Sequence, residues 1–333
     1  MEIPRISETV PCTLCGETAA TLIMTGGDRR FAVGDEEFGV VRCRGCGLVR
    51  LSPRPRLDRL GEYYPRQFYD YRFAPARGRL RRWVRQRRAR ALVSEKMRIV
   101  HRLQRPPGRL LDVGSAAGEF LVHARERGWD VTGVEFDADT AEAVRSGTGI
   151  EILTGSVLEV DLPIDVDVCT LWASLEHLED PVEGLRRIRR ALKPGGLVVV
   201  LVPNYASWEA RTLGAGWGHL DIPRHLHHFE ASTLDAVFRG AGFETMAVTT
   251  PLTRLAVSHW GTWMTGGRRL GARSRRVLDW LTFPLRGPVC ALAAAVGRNH
   301  TLLGVARRPA SPDPSRLRSP FHATAFQESG HAQ

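Results

Sequence analysis

Two short apolar runs between residues 110 and 135 each close on a carboxylate, and few folds accommodate that pattern. The first reads Leu110-Leu111-Asp112-Val113-Gly114-Ser115-Ala116-Ala117-Gly118-Glu119-Phe120, an Asp-x-Gly-x-x-x-Gly turn that opens straight into a helix-like pattern. The second, Val131-Thr132-Gly133-Val134-Glu135, follows after a short helical stretch. In a doubly wound α/β sheet, such a strand–turn–helix step binds a nucleoside at the strand ends. Glycines let the backbone approach the ligand, and an acid ending the second strand takes two ribose hydroxyls. A dinucleotide site wants Gly-x-Gly-x-x-Gly, but Ala116 stands where the middle glycine belongs. Asp112 at the strand tip would repel a phosphate and suits a ligand with a positive charge.

Later residues narrow the choice. Val166 to Trp172 forms another apolar run and leads into Ser174-Leu175-Glu176-His177-Leu178-Glu179-Asp180-Pro181. A helix is expected to end at Leu192-Lys193-Pro194-Gly195-Gly196, before a buried strand from Leu197 to Val202 and then Pro203-Asn204. Over residues 108 to 250 these elements closely resemble the class I S-adenosylmethionine-dependent methyltransferases. The resemblance implies a doubly wound, Rossmann-like seven-stranded sheet. Its last two strands, near 244–250 and 302–307, are antiparallel, with a helical insertion (253–299) before the last strand. It also implies S-adenosylmethionine as cofactor. Asp112, Gly114, Ser115 and Gly118 are expected at its methionine end, Glu135 on the ribose and Phe136 against the adenine. Ser156 and Val157 are expected at the adenine edge, with Trp172 and Ala173 closing over the ligand.

Of six cysteines, four fall in two CxxC pairs, Cys12/Cys15 and Cys43/Cys46. Each pair can place two thiolates on a tight turn, and four close a tetrahedral zinc site with no open position. A small N-terminal zinc ribbon is therefore expected, its metal structural; a redox pair is the competing reading. Cys169 and Cys290 read as core residues. Residues 1–10 lack an apolar signal segment and no run of eighteen apolar residues exists, so a cytoplasmic protein is expected. A zinc module joined to such a domain is similar to the sugar C-methyltransferases of antibiotic pathways.

The net charge of +11 is unevenly placed: zero over 1–71, +12 over 72–108, −10 over 109–252 and +9 over 253–333. These shifts suggest boundaries at 1–71 (ribbon and an aromatic segment, Tyr63 to Tyr71), 72–107 (a basic helical connector), 108–308 (the catalytic domain) and 309–333 (a Pro/Ser-rich disordered tail). The arginine-rich helix from Arg77 to Leu103 could lie on an anionic membrane, bind nucleic acid, or dock on the acidic core. The insertion, with Trp260, Trp263 and arginines from Arg268 to Arg276, is expected to cap the pocket or to meet a membrane interface.

Methyl transfer from a sulfonium needs chiefly alignment and removal of a proton. The candidate base is His225, in Gly218-His219-Leu220-Asp221-Ile222-Pro223-Arg224-His225-Leu226-His227-His228-Phe229; His177 is the second candidate. Arg224 can clamp an anionic group, and His228 and Asn204 are expected on the substrate side. The sugar C-methyltransferases carry Glu-His-Leu-x-x-Phe there, after a tyrosine. Arg224 replaces that glutamate and no tyrosine precedes it, which favours O-methylation. Some quinone-type O-methyltransferases carry a Glu-x-x-Glu-His metal site; Ala173 replaces its first acid, so catalytic magnesium is not expected. The acceptor is expected to be a small molecule, sugar or lipid-linked glycan. The alternative is an RNA methyltransferase that docks RNA through the zinc ribbon and arginine-rich helix. A non-catalytic cofactor-binding scaffold is the third reading. Oligomeric state leaves no mark in the sequence.

Overall fold

The computed structural model describes residues 7–68, 78–251 and 288–310. The tryptophans and arginines expected in the helical insertion lie outside the described residues. So do Tyr69 to Tyr71 and nearly all of the expected tail.

The N-terminal segment builds β1 (Ser7–Glu8), β2 (Ala20–Gly26), β3 (Phe38–Cys43), β4 (Val49–Leu51) and β5 (Arg54–Pro55). The two CxxC pairs flank β2 and β3. A short helix α1 (Leu57–Leu60) and a 3₁₀ turn (Gly61–Tyr63) follow. Next comes α2 (Arg79–Leu103), 25 residues long. Val93, Met97 and Val100 recur at intervals of four and three and so share one face. All three are buried against Phe120, Leu121 and Trp129. The arginine-rich helix is thus, in its C-terminal half, packed into the core of the α/β domain that follows it.

The main sheet has seven strands: β6 (Gly108–Val113), β7 (Trp129–Glu135), β8 (Glu151–Thr154), β9 (Val166–Trp172), β10 (Leu192–Pro203), β12 (Glu244–Thr249) and β13 (Thr301–Arg307). Their order is β12-β13-β10-β9-β6-β7-β8, and only β13 runs antiparallel to its neighbours. The two closing strands fall where the sequence placed them. Helices α3 (Glu119–Arg125), α4 (Ala138–Thr148), α5 (Pro181–Ala191), α6 (Trp208–Leu213) and α7 (Ala231–Gly240) connect them. Asp180 caps α5 by accepting from the Glu183 N–H at 2.9 Å, with Pro181 at the first helical position. The helix stops at Ala191 with Leu192 as its C-cap, where its end is expected, and β10 then breaks register between Leu192 and Leu197.

Period-two alternation sorts the strands between two cores. Leu111, Val198, Val200 and Val202 face one side; Leu110, Val199 and Leu201 face the other. Cys12, Cys43 and Leu48 of the ribbon are buried in the first core. A third cluster joins Phe38, Val40, Val49, Leu51 and Tyr63 to Trp217, Leu220, Ile222 and Leu226. Each such fully buried side chain contributes about 1.5–3 kcal/mol. The ribbon is therefore packed into the domain along the loop that follows β10. That loop even supplies its edge strand: β11 (His227–His228) pairs antiparallel with Val49 and Arg50 of β4.

Candidate active site

A cavity of about 500 Å³ opens at the carboxyl ends of β6 and β7. It extends to Ala173 and His177 beyond β9, and so borders the topological switch point between β6 and β9, where an open α/β sheet binds ligands. Its wall includes Gly114, Ala116, Glu135, Phe136, Ser156, Val157 and Ala173. Gly114 adopts φ +78°, and both Gly114 and Ser115 donate their N–H to the Val134 carbonyl, at 2.8 and 3.0 Å. Glu135 is held from both sides, accepting from Ala116 N at 2.7 Å and from Asp137 N at 3.1 Å. Its carboxylate is thus fixed before any ligand arrives. Phe136 is 64% exposed at the rim.

Other residues expected at the cofactor stand one layer back. Asp112 is buried and accepts from Thr170 Oγ1 at 2.6 Å; burial raises its pKa to about 6 against the pull of Lys96. Ser115 is buried with an unpartnered hydroxyl. Gly118 begins α3 at φ +70° against Val144. Trp172 packs edge-on to Phe120. Over these two rings, 5.2 Å from the Trp172 centroid and 5.9 Å from that of Phe120, lies the ammonium of Lys96. Its arginine-rich surroundings concealed it in the sequence.

The roof comes from the N-terminal segment: Leu57, Leu60, Tyr64 and Phe68 line the same cavity. Tyr64 Oη lies 2.9 Å from His177 Nδ1, and that nitrogen lies 3.1 Å from the Arg224 carbonyl. Tyr64 Oη also reaches that carbonyl, at 3.4 Å; in the tautomer with Nδ1 protonated toward the carbonyl, Nε2 keeps a lone pair. His177 is part of the cavity wall. Behind it, His225 meets it edge to face, with centroids 4.6 Å apart. His225 is 7% exposed and its Nδ1 donates to the His219 carbonyl at 2.8 Å. Burial lowers His177 to about 3 and His225 to about 4, so both imidazoles are neutral. Beside them Glu176 is 1% exposed with both carboxylate oxygens unpartnered, and burial raises it to about 8.

The residues expected to touch substrate are placed otherwise. Arg224 is fully buried: its guanidinium bonds both oxygens of Asp28 at 2.7 and 3.0 Å, Asp221 at 2.7 Å and the Tyr63 carbonyl at 2.9 Å. The cation is spent on joining the ribbon to the histidine loop. Asn204 is buried too, donating to the Asn299 carbonyl at 2.7 Å and accepting from Ala206 N at 3.0 Å. His228 faces Tyr205 in β11, 5.7 Å between centroids. None of the three lines the cavity.

The four ribbon cysteines converge, with Cys12–Cys46 and Cys15–Cys43 Sγ separations of 3.5 Å and all four sulfurs within 4.8 Å of one another. Tetrahedral thiolates ~2.3 Å from zinc stand ~3.8 Å apart, so the set fits that ion. Cys169 is buried in the sheet core. Among the described residues, no helix is long and apolar enough to cross a membrane.

Residues 83–248 match a family model described as a methyltransferase domain. A "Ubiquinone biosynthesis O-methyltransferase" from Pseudomonas entomophila is 32% identical over 149 residues, 41% of this chain and 64% of that protein. Its namesake from Pseudomonas paraeruginosa is 31% identical over 148 residues, 40% of this chain and 64% of its own length. The match thus spans less than two thirds of these relatives. A solved structure described as a possible histamine N-methyltransferase from Thermotoga maritima is 18% identical, with a TM-score of 0.48, covering 75% of this chain and 99% of its own.

Proposed function

We propose that this chain, which carries a class I S-adenosylmethionine-dependent methyltransferase domain, methylates a hydroxyl on a small-molecule, sugar or lipid-linked acceptor. The observation that carries the reading is the cavity at the ends of β6 and β7, lined both by Glu135, held by two backbone N–H groups, and by His177. The likeness to O-methyltransferases over the same domain favours oxygen as the accepting atom. Glu135 takes the ribose hydroxyls, Ser156 and Val157 border the adenine, and Phe136 covers it. The methionine end lies over the Gly114 loop, above the buried charge of Asp112.

S-adenosylmethionine bound there would supply the methyl group; Tyr64 and His177 would border the acceptor hydroxyl, and the neutral His177 would take up its proton. His177, not His225, fronts the cavity, so the roles proposed are His177 at the acceptor and His225 behind it. The roof of Tyr64, Phe68, Leu57 and Leu60 excludes water, which strengthens the site's electrostatics.

Purified protein with methyl-labelled S-adenosylmethionine and fractionated lysate should place label in solvent-extractable or glycan material. Label confined to a nuclease-sensitive fraction would instead support RNA as acceptor. Calorimetry supplies a more local check. Glu135→Ala removes two charge-assisted hydrogen bonds to the ribose, at about 1.5–3 kcal/mol each, and should weaken cofactor binding ~100-fold or more. An unchanged affinity would move the cofactor elsewhere.

We propose further that the cysteine set holds a structural zinc ion. The ribbon's buried side chains pack into cores shared with the rest of the domain, and metal affinity adds folding energy at the cysteine end. Cys15→Ser should lose the zinc found by elemental analysis and lower the melting temperature. Full melting temperature in a zinc-free variant would show that packing alone holds the ribbon.

A further inference from the structure

We infer that the face at the carboxyl ends of the strands, where the cavity opens, docks on an anionic lipid bilayer through the N-terminal half of α2. Chain direction places that half. β6, β7 and β9 are parallel, so Trp129, which begins β7, and Trp172, which ends β9, mark opposite ends of the sheet. His101, near the C-terminus of α2, accepts from Trp129 Nε1 at 3.1 Å, whereas the Lys96 ammonium lies 5.2 Å from the Trp172 ring. The helix therefore runs against the strands, and its N-terminal half heads past their carboxyl ends.

That half suits an anionic partner. Among the described residues of α2, Val93 is the first that is buried. Residues 79–92 before it span about 20 Å at ~1.5 Å per residue. They hold seven arginines, and no carboxylate falls between Asp70 and Glu95. Trp83, Arg87 and Arg90 are exposed, with the Arg87 guanidinium 4.8 Å from the centre of the Trp83 ring. A guanidinium beside an indole fits the boundary between lipid headgroups and acyl chains. Arginine alone would serve RNA equally well; apolar neighbours on the same face decide for lipid. Leu57 in the cavity roof is 45% exposed, and Leu292 and Val296 are 58% and 52% exposed. The last two stand near the carboxyl ends of β10 and β12, because Thr250 donates to the Ala294 carbonyl at 2.9 Å and Asn204 to that of Gly297 at 3.3 Å. Aliphatic side chains gain from an apolar phase and nothing from a phosphate backbone.

The remaining charge orients the molecule. Residues 109–252 carry −10 and are repelled by anionic headgroups, whereas residues 72–108 carry +12. Attraction at one end and repulsion along the body turn the helix toward the bilayer, and the cavity mouth turns with it. Delivery of an acceptor from the bilayer to the cavity rests on the methyl-transfer reading; docking does not.

Vesicle flotation tests the surface. At about 0.1 M salt, full-length protein should float with phosphatidylcholine vesicles that contain phosphatidylglycerol and stay behind with phosphatidylcholine alone; added salt should release it. Arg87→Gln with Arg90→Gln should weaken binding about 25-fold, at roughly fivefold per charge. Arg109→Gln with Arg127→Gln removes the same charge at the amino ends of β6 and β7 and should leave binding unchanged. All four arginines are exposed, so the fold is kept. Trp83→Ala should weaken binding further without altering its salt dependence. Equal binding to both vesicle types, or equal losses in the two arginine pairs, would overturn the assignment. So would full release from the vesicles by stoichiometric single-stranded RNA. Calorimetry with S-adenosylmethionine separates the two readings. Cofactor binding without vesicle binding removes only the docking surface; vesicle binding without cofactor binding removes only the proposed methyl transfer.

Discussion

Arg224→Ala is expected to destabilise the protein by about 3–5 kcal/mol, the cost of breaking a buried ion pair by removing one partner. The guanidinium is fully buried between Asp28 of the β2–β3 loop and Asp221 of the histidine loop, with Phe31 under its face at 5.0 Å. Its loss leaves two carboxylates at a dry interface. Asp28 keeps N–H donors from Arg30, Phe31 and Val33, and Asp221 keeps Arg30, so the penalty falls short of two bare charges. Melting temperature should drop on the order of 10 °C. Arg224→Lys restores charge but not the fork that meets Asp28 through two nitrogens, and should recover only part of the loss. A shift of a degree or two in the alanine variant would show the interface to be held by its apolar cluster instead.

The same network sets an acid limit. Burial would raise the Asp221 carboxyl, but His225 and Arg224 outweigh it and hold it at about 2; Asp28 is lowered as well, since Arg224 and backbone N–H groups outweigh its burial. A folded pKa below the unfolded value of ~3.9 means stabilisation present above that pH. It is lost as pH falls from about 4 toward 2. The alanine variant should therefore lose its deficit relative to wild type over that window, as seen in parallel acid titrations of stability.

The cavity wall at the ends of β6 and β7 was legible in the sequence because it depends on local geometry. Gly114 and Glu135 stand within a few residues of their strand ends, so spacing alone places them there, whereas Asp112, Ser115 and Gly118 stand behind that wall. The acceptor half depends on contacts far apart in sequence. Nothing around Tyr64 announces that its hydroxyl meets His177. The absence of a tyrosine before His225 was read from the neighbouring residues, whereas space supplies one from the ribbon side. Arg224 stood where an exposed clamp would be useful, and only the fold reveals Asp28 opposite it. The run His225 to His228 looked like a catalytic loop, yet two of its histidines form an edge strand on β4. A two-residue strand has no periodicity to detect, and its partner lies in the ribbon. The cysteines, by contrast, were recognisable from spacing because thiolate chemistry fixes it.

Gly114→Ala should abolish useful cofactor binding while leaving most of the fold intact. Gly114 sits at φ +78°, where an L side chain costs about 1–2 kcal/mol. An added Cβ would lie 2.3 Å from Ser174 Oγ and 2.9 Å from Ser174 Cβ. The Ser174 hydroxyl cannot swing away freely, because it donates to the Val113 carbonyl at 2.7 Å. Relieving such an overpacked contact costs about 1–3 kcal/mol more. The cheapest relief is to move the loop itself, which carries the Ala116 N–H that holds Glu135. Strain therefore appears as lost cofactor affinity, roughly 30- to 4000-fold by calorimetry, for about 2–5 kcal/mol in total. Adding Ser174→Ala removes the oxygen but neither the Cβ contact nor the positive φ. The double variant should recover part of the affinity and no more. Complete recovery would mean that the left-handed backbone matters little; no recovery would mean that backbone strain, rather than the clash with Ser174, governs the loop.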